Sequence, residues 1–161
     1  MRGRPFYLPL HLDLGGKTCL FVGAGKINER RVLSVLPTGA RVVVVAPSAT
    51  PRIVALAEEG RLEWHRRSFV SGDLQGVSLV FVAIDGDPAP MVKAAREKGV
   101  MVNLASAGTE GDFIVPSVVR EGEVVLSVST SGRDPGLTKR LARWLKKELS
   151  RWLTEVKGSE E

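Results

Sequence analysis

Two glycines at the end of an apolar run are the residues of this chain that most clearly indicate chemistry. Residues 19–22 are continuously apolar, as expected of a parallel strand covered on both faces, and Gly23 and Gly25 follow at once. Gly23 permits a sharp turn, and Gly25 lets the backbone approach a pyrophosphate closely. A helix opening near Lys26 then offers free N–H groups and the positive end of its dipole to that anion. The pattern predicts a dinucleotide-binding turn.

One position departs from the dinucleotide fingerprint. Asn28 stands where the third glycine of the motif is expected. The context supports the motif, because residues 41–46 form a second apolar strand at the interval of a βαβ unit. The alternative is a glycine-rich turn of an ordinary α/β domain that binds no phosphate.

The composition indicates a globular protein whose partners are anions. The chain has 161 residues, a net charge of +5 and one cysteine, Cys19, which we expect to be a small buried side chain in a cytoplasmic protein. No apolar run approaches the roughly 20 residues of a membrane span. Six cations between Lys139 and Arg151 form a basic segment. It lacks the interleaved aromatic residues of a nucleic-acid site, so a solvated helix face is expected and nucleic acid is not a predicted partner.

The first hundred residues alternate strands and helices around this turn. The predicted strands are residues 19–22, 41–46, 62–67, 78–84 and 100–104, and the predicted helices begin after Gly25, at Pro51 behind the N-cap Thr50, and at Pro88 behind the N-cap Asp87. This order predicts a Rossmann-like, doubly wound parallel sheet of the α/β class, with residues 62–67 at its edge.

The pattern changes in the last third of the chain. Residues 113–119 and 123–129 are strand-like with no helix between them, which predicts a β-hairpin. Asp134 is a predicted N-cap for a helix that reaches about Val156 and carries one apolar stripe with two tryptophans. Such a stripe must dock on something, which favours a homodimer. We therefore predict a dinucleotide-binding domain at residues 1–110 and a dimerising hairpin and amphipathic helix at residues 111–161.

The order of several short motifs resembles the precorrin-2 dehydrogenase family, which also forms the N-terminal part of siroheme synthases. The resemblance covers about residues 6–150. The matching segments are Tyr7-Leu-Pro-Leu10, Leu14-Gly-Gly-Lys17, the glycine turn with Arg30-Arg31, Gly39-Ala40, Val45-Ala-Pro47, Gly99-Val-Met-Val-Asn103, Asp112-Phe-Ile-Val-Pro116, Ser127-Val-Ser-Thr-Ser-Gly132 and Pro135-Gly-Leu137.

The resemblance implies an NAD-dependent oxidation of precorrin-2 to sirohydrochlorin, on the route to sirohaem, by a homodimer. It implies a small-molecule tetrapyrrole as substrate and, in some members, iron insertion as well. The residues expected to contact NAD are Gly23, Gly25, Lys26, Ile27, Pro47, Ser48, Ala83 and Asp85. The acidic residue that usually binds the ribose after the second strand is absent, and Ala46-Pro47-Ser48 stands there. No metal-binding cluster of cysteine and histidine is present in the sequence, and no resident metal is expected.

The expected catalytic position departs from the family. Family members usually place an aspartate three residues after the asparagine that Asn103 matches, and this chain has Ser106. A hydroxyl is neutral at pH 7 and is neither a carboxylate base nor an effective iron ligand. Asp112 or Glu110 could replace this acid. Asp112 matches a family position that is often acidic, and a structural role at a turn or strand edge is the alternative for it. Iron insertion is expected to suffer more than dehydrogenation.

Two functions are therefore carried forward. The first is an NAD-dependent precorrin-2 dehydrogenase with, at most, residual ferrochelatase activity, whose catalytic candidates are Ser106 and Asp112. The second is a non-catalytic carrier or regulatory protein that binds a tetrapyrrole or NAD without turnover.

Overall fold

The computed structural model describes residues 7–105 and 111–157. Tyr7–Phe113 form one compact unit, and residues 114–157 belong to a second. The predicted boundary between two domains after residue 110 is not tested by this division into compact units, and it stays a prediction. Ser106 and Glu110 lie outside the described residues.

The first unit is a five-stranded parallel sheet with helices on both faces. Its elements are β1 (Thr18–Ala24), α1 (Lys26–Val35), β2 (Arg41–Ala49), α2 (Pro51–Glu58), β3 (Glu63–His65), β4 (Val77–Val82), α3 (Ala89–Glu97) and β5 (Met101–Leu104), with short 3-10 turns at Leu36–Thr38 and Ser71–Leu74. The strand order is β3-β2-β1-β4-β5. The predicted doubly wound sheet is confirmed. All its strands are parallel, and the order in which successive strands are added reverses between β1 and β4.

Apolar side chains fill both faces of this sheet. One face packs β1, β2 and β4 against α1 and α2, with the rings of Phe21 and Phe81 stacked at 4.5 Å between centroids. The other face packs Leu20, Val80 and Val102 against α3. Cys19 is fully buried, as predicted, and burial raises the pKa of its thiol to about 11. The thiol is therefore protonated at neutral pH and acts as core packing.

The helix starts show which local signals were sufficient. Thr50 Oγ1 accepts a hydrogen bond from Ile53 N at 3.4 Å, which confirms the predicted N-cap of α2. Asp87 was predicted as the N-cap of α3, but that position is occupied by Pro88. α3 begins at Ala89, one residue later than predicted, and Asp87 Oδ1 accepts a hydrogen bond from Ala89 N at 2.9 Å.

The second unit is an antiparallel hairpin and a long helix. β6 (Ser117–Glu121) pairs with β7 (Val124–Val128), and α4 spans Pro135–Lys157. The N-cap prediction is confirmed, since Asp134 Oδ1 accepts from Leu137 N at 2.7 Å. β6 begins at Ser117, four residues later than predicted. Phe113 belongs to the first unit, where its ring packs edge-on against that of Phe81, so it does not form part of the strand.

The apolar stripe of α4 is largely exposed in the single chain. Trp144 and Trp152 are 56% and 57% exposed, and Leu137 and Leu141 are also exposed. None of the helices in the described ranges is long and apolar enough to cross a membrane.

Candidate dinucleotide site

Residues 23–25, here called the glycine turn, lie where β1 meets the carboxyl end of β4. Gly23 has φ +90°, and a Cβ added to it would lie 2.0 Å from the carbonyl oxygen of Ala83. Ala83 N in turn donates to Val22 O at 3.0 Å. Only glycine fits at position 23, because the two backbones touch there. The structure therefore brings Gly23 and Ala83 together at the switch point, where open α/β sheets bind ligands.

Gly25 faces open space. It is the N-cap of α1 with φ −79°, and a Cβ added to it would meet nothing within 4 Å. No side chain caps this helix among the described residues, so the first N–H groups, starting at Lys26 and Ile27, are free to bind an anion. The glycine thus leaves room for a phosphate at the helix N-terminus, and this part of the site fits the diphosphate of NAD.

The Asn28 side chain stabilises the glycine turn through hydrogen bonds to backbone carbonyls. Its side chain is fully buried, and Nδ2 donates to Val22 O at 3.0 Å and to Gly23 O at 2.7 Å. A weaker contact reaches Phe81 O on β4 at 3.4 Å. The residue that departs from the fingerprint therefore ties β1, the turn and β4 together. The sequence shows only that Asn28 replaces the third glycine of the fingerprint, and it gives no signal of this structural role.

Arg31 places a cation beside the same turn. Its Nη1 donates to Asn28 Oδ1 at 3.3 Å, and its side chain is half-buried. Burial, with a smaller repulsion from Arg30, lowers the pKa of Arg31 to about 10. The guanidinium is still charged at neutral pH, so the neighbourhood of the turn favours anions.

Residues 46–48, here called the β2 end, bulge out of the sheet. The β1–β2 register runs from Val22 opposite Val45 to Ala24 opposite Ala49, so β2 has two extra residues here. Pro47 and Ser48 are exposed on the bulge. The Trp64 side chain supports it from β3, with Nε1 donating to Ala46 O at 3.0 Å. This is the place where a Rossmann domain binds the adenosine ribose.

Glu29 lies in the first turn of α1 and contacts Thr50, the residue that follows β2. A hydrogen bond from Thr50, with smaller contributions from Lys26 and Arg52, lowers the pKa of this carboxyl. Lys26 Nζ lies 3.3 Å from Glu29 Oε1. The negative charge of Glu29 is therefore compensated locally.

The carboxyl ends of β4 and β5 complete this edge of the sheet. Asp85 is exposed beyond Ala83. Asn103 on β5 is 3% exposed, and its Nδ2 donates to Phe113 O at 2.8 Å. Its Oδ1 is buried without a hydrogen-bond partner among the described residues. A buried oxygen left without a donor costs free energy, so Asn103 is a candidate acceptor for an N–H group of a bound ligand.

Asp112 pairs with the free edge of β5. Its Oδ2 accepts from Val102 N at 2.9 Å, and its own N–H donates to Val102 O at 2.7 Å. The carboxylate therefore has a structural role at a strand edge. Its predicted catalytic role, like that of Ser106, stays a prediction.

Metal ligands are not grouped in the described part of the chain. No set of three or more histidine, cysteine, aspartate or glutamate side chains there could hold a metal ion.

The parallel sheet, the open glycine turn and the adjacent ribose position define a Rossmann-type dinucleotide-binding domain. A family model described as "Putative NAD(P)-binding" matches residues 10–117. The precorrin-2 dehydrogenase of Bacillus subtilis is 34% identical over 136 residues, which cover 84% of this chain and 84% of that protein. This chain belongs to the precorrin-2 dehydrogenase family.

Two further relatives agree with this assignment. A solved structure of the precorrin-2 dehydrogenase SirC superposes with a TM-score of 0.77 at 32% identity, covering 88% of this chain and 71% of that one. The siroheme synthase of Methylococcus capsulatus is 36% identical over 137 residues, or 84% of this chain. The match spans only 29% of that longer protein.

Proposed function

We propose that this protein oxidises precorrin-2 to sirohydrochlorin with NAD as hydride acceptor. The observation that carries the proposal is the open glycine turn at the N-terminus of α1, in a chain 34% identical to a precorrin-2 dehydrogenase over most of both proteins. The protein is expected to act in the cytoplasm, in the formation of sirohaem.

The cofactor-binding residues act along the carboxyl edge of the sheet. Gly25 and the N–H groups of Lys26 and Ile27 bind the diphosphate, while Pro47 and Ser48 contact the adenosine. Gly23 and Ala83 fix the crevice between β1 and β4, and Asp85 flanks the nicotinamide side. NAD, when bound, supplies the ring that accepts a hydride.

Binding and orienting the macrocycle are the main tasks of the protein. Oxidation removes one hydride and one proton from the substrate, so a group of the protein or a water must take the proton. Ser106 and Asp112 are the candidates, and Asp112 is the one that carries a charge. The exposed cations Arg133, Lys139, Arg140 and Arg143 suit the carboxylates of a tetrapyrrole.

The direct test is the absorbance at 340 nm after mixing the pure protein with NAD and freshly generated precorrin-2. A rise in NADH together with the spectrum of sirohydrochlorin is expected. If no NADH forms although the tetrapyrrole spectrum shifts, the protein is a binding protein without turnover. That second candidate is favoured by Ser106, which replaces the family carboxylate.

A substitution of Asp112 tests its role separately. Asp112→Asn keeps an oxygen that can accept from Val102 N but removes the charge. If Asp112 takes the proton, the rate of NADH formation falls at least about 100-fold, while the melting temperature stays close to that of the parent. An unchanged rate would eliminate Asp112 as the replacement acid.

We also propose that the protein is a homodimer. The exposed tryptophans and leucines of α4 support this, because a surface stripe of large apolar side chains on a monomer is unusual. Sedimentation equilibrium at micromolar concentration is expected to give twice the mass of the chain, and a single-chain mass would remove the proposal.

A further inference from the structure

The β2 end carries no group that would exclude a phosphate from the adenosine ribose. NAD-specific Rossmann domains place an aspartate or glutamate here, which binds the ribose hydroxyls and repels a 2′-phosphate, whereas NADP-binding domains use a nearby arginine. In this chain the position is occupied by Ala46, Pro47 and Ser48, of which the last two are exposed. A hydroxyl at Ser48 can donate to a phosphate oxygen as readily as to a ribose hydroxyl.

β3 brings an arginine to the same place. The β2–β3 register sets Val45 opposite His65, and β3 ends there, so Arg66 leaves the sheet beside Ala46. The guanidinium carbon of Arg66 lies 5.7 Å from the centroid of the Trp64 ring. The Nε1 of that ring donates to Ala46 O. Trp64 therefore connects the cation to the bulge that would hold the ribose.

The charges around Arg66 leave it available. Within the described ranges no carboxylate forms an ion pair with it, and its side chain is exposed. The acidic residues Glu63 and Glu29 form ion pairs with other cations. Glu63 contacts Arg41 Nη2 at 2.7 Å and His65 Nε2 at 3.7 Å, while Glu29 is compensated by Lys26.

We infer that the cofactor site also accepts NADP, with Arg66 binding the 2′-phosphate and the Ser48 hydroxyl donating to it. The inference rests on the proposed function, since it concerns the adenosine end of the same NAD site. Arg66 is a specificity-determining residue in this arrangement and takes no part in hydride transfer.

The test is calorimetric titration of the full chain with NAD and with NADP. The parent protein is expected to bind NADP with a dissociation constant within about tenfold of that for NAD. In Arg66→Gln the affinity for NADP falls about tenfold or more, since a charge-assisted contact to phosphate is lost, while the affinity for NAD changes less than about twofold. A matched control is Arg61→Gln, which removes an exposed arginine at the other end of β3. It should change neither affinity.

A second variant introduces a preference for NAD over NADP without changing Arg66. Ser48→Asp supplies the missing carboxylate, so NADP binding is expected to weaken at least about tenfold more than NAD binding. In the parent, added salt should weaken NADP binding more than NAD binding, because the extra contact is an exposed ion pair.

Each other outcome overturns a specific statement. NAD binding without NADP binding in the parent overturns the inference and leaves the proposed function intact. Equal losses of both dinucleotides in Arg66→Gln also overturn it, because Arg66 would then only support the β2 end. Failure of the parent to bind either dinucleotide would remove the NAD site and, with it, the proposed function.

Discussion

The glycine turn and the β2 end lie on the same edge of the same sheet, yet they are built in opposite ways. The glycine turn is made of backbone atoms held by buried contacts, with Gly23 against Ala83 and Asn28 bonded to two carbonyls. The β2 end is a bulge of exposed residues supported by the half-buried Trp64. The contrast shows that Gly23 and Asn28 cannot be changed without disturbing the fold, whereas the exposed residues of the β2 end are open to substitution.

The largest effect is expected from Gly23→Ala. The new Cβ would overlap the Ala83 carbonyl oxygen, and φ +90° strains any residue with a side chain. The free energy of unfolding should fall by about 3 kcal/mol or more. This corresponds to a melting temperature lower by about 6–12 °C in a chain of this size.

Gly16→Ala is the matched control for this variant. Gly16 has φ +68°, but a Cβ added there would meet nothing within 4 Å. It should cost about 1 kcal/mol from backbone strain alone. Equal losses in the two variants would show that the contact between β1 and β4 is not what requires glycine.

Gly25→Val separates ligand binding from folding. Position 25 has an ordinary φ and open space, so the free energy of unfolding should fall by only about 1 kcal/mol, because valine is a poorer N-cap than glycine. The affinity for NAD should fall at least about 100-fold, because the side chain fills the space of the diphosphate. Gly25→Ala should show a smaller loss. Unchanged NAD affinity in Gly25→Val would remove the central claim about this site.

Asn28→Ala tests the buried support of the glycine turn. Removing the amide leaves the Gly23 carbonyl without its donor and should cost about 2 kcal/mol of stability, measured by urea unfolding. NAD affinity should also weaken several-fold, since the turn loses its fixed position. Asn28→Asp should be worse still at neutral pH, because a buried carboxylate would face carbonyl oxygens. An Asp variant as stable as the parent would contradict this account.

The smallest effect is expected at the β2 end. Trp64→Phe keeps an aromatic ring under Arg66 but removes the donor to Ala46 O. Stability should fall by about 1 kcal/mol. NADP affinity should fall about two- to threefold, with NAD affinity unchanged. A loss as large as that of Asn28→Ala would mean that the two ends are equally rigid.

Local sequence signals predicted the sheet and the position of the glycine turn. The apolar strands, the N-caps Thr50 and Asp134 and the pair of glycines depend on neighbours within a few residues, so periodicity and residue type were sufficient. The predicted start of β6 was wrong, because the Phe113 ring packs against Phe81 and its carbonyl oxygen accepts a hydrogen bond from Asn103. Those partners lie 32 and 10 residues away in sequence, and no local pattern shows the contact.

The sequence by itself determined the α/β class, the order of the elements and the position of the glycine turn, since these follow from hydrophobic period and backbone freedom. Only the tertiary structure decided that Asn28 ties the turn to its neighbours, that Asp112 pairs with the edge of β5, and that Arg66 stands beside Ala46. Each of these facts depends on strand register and on side-chain contacts across the sheet. The distances between strands depend on how the whole core packs. That packing involves many residues far apart in the chain, so no local segment of the sequence predicts it.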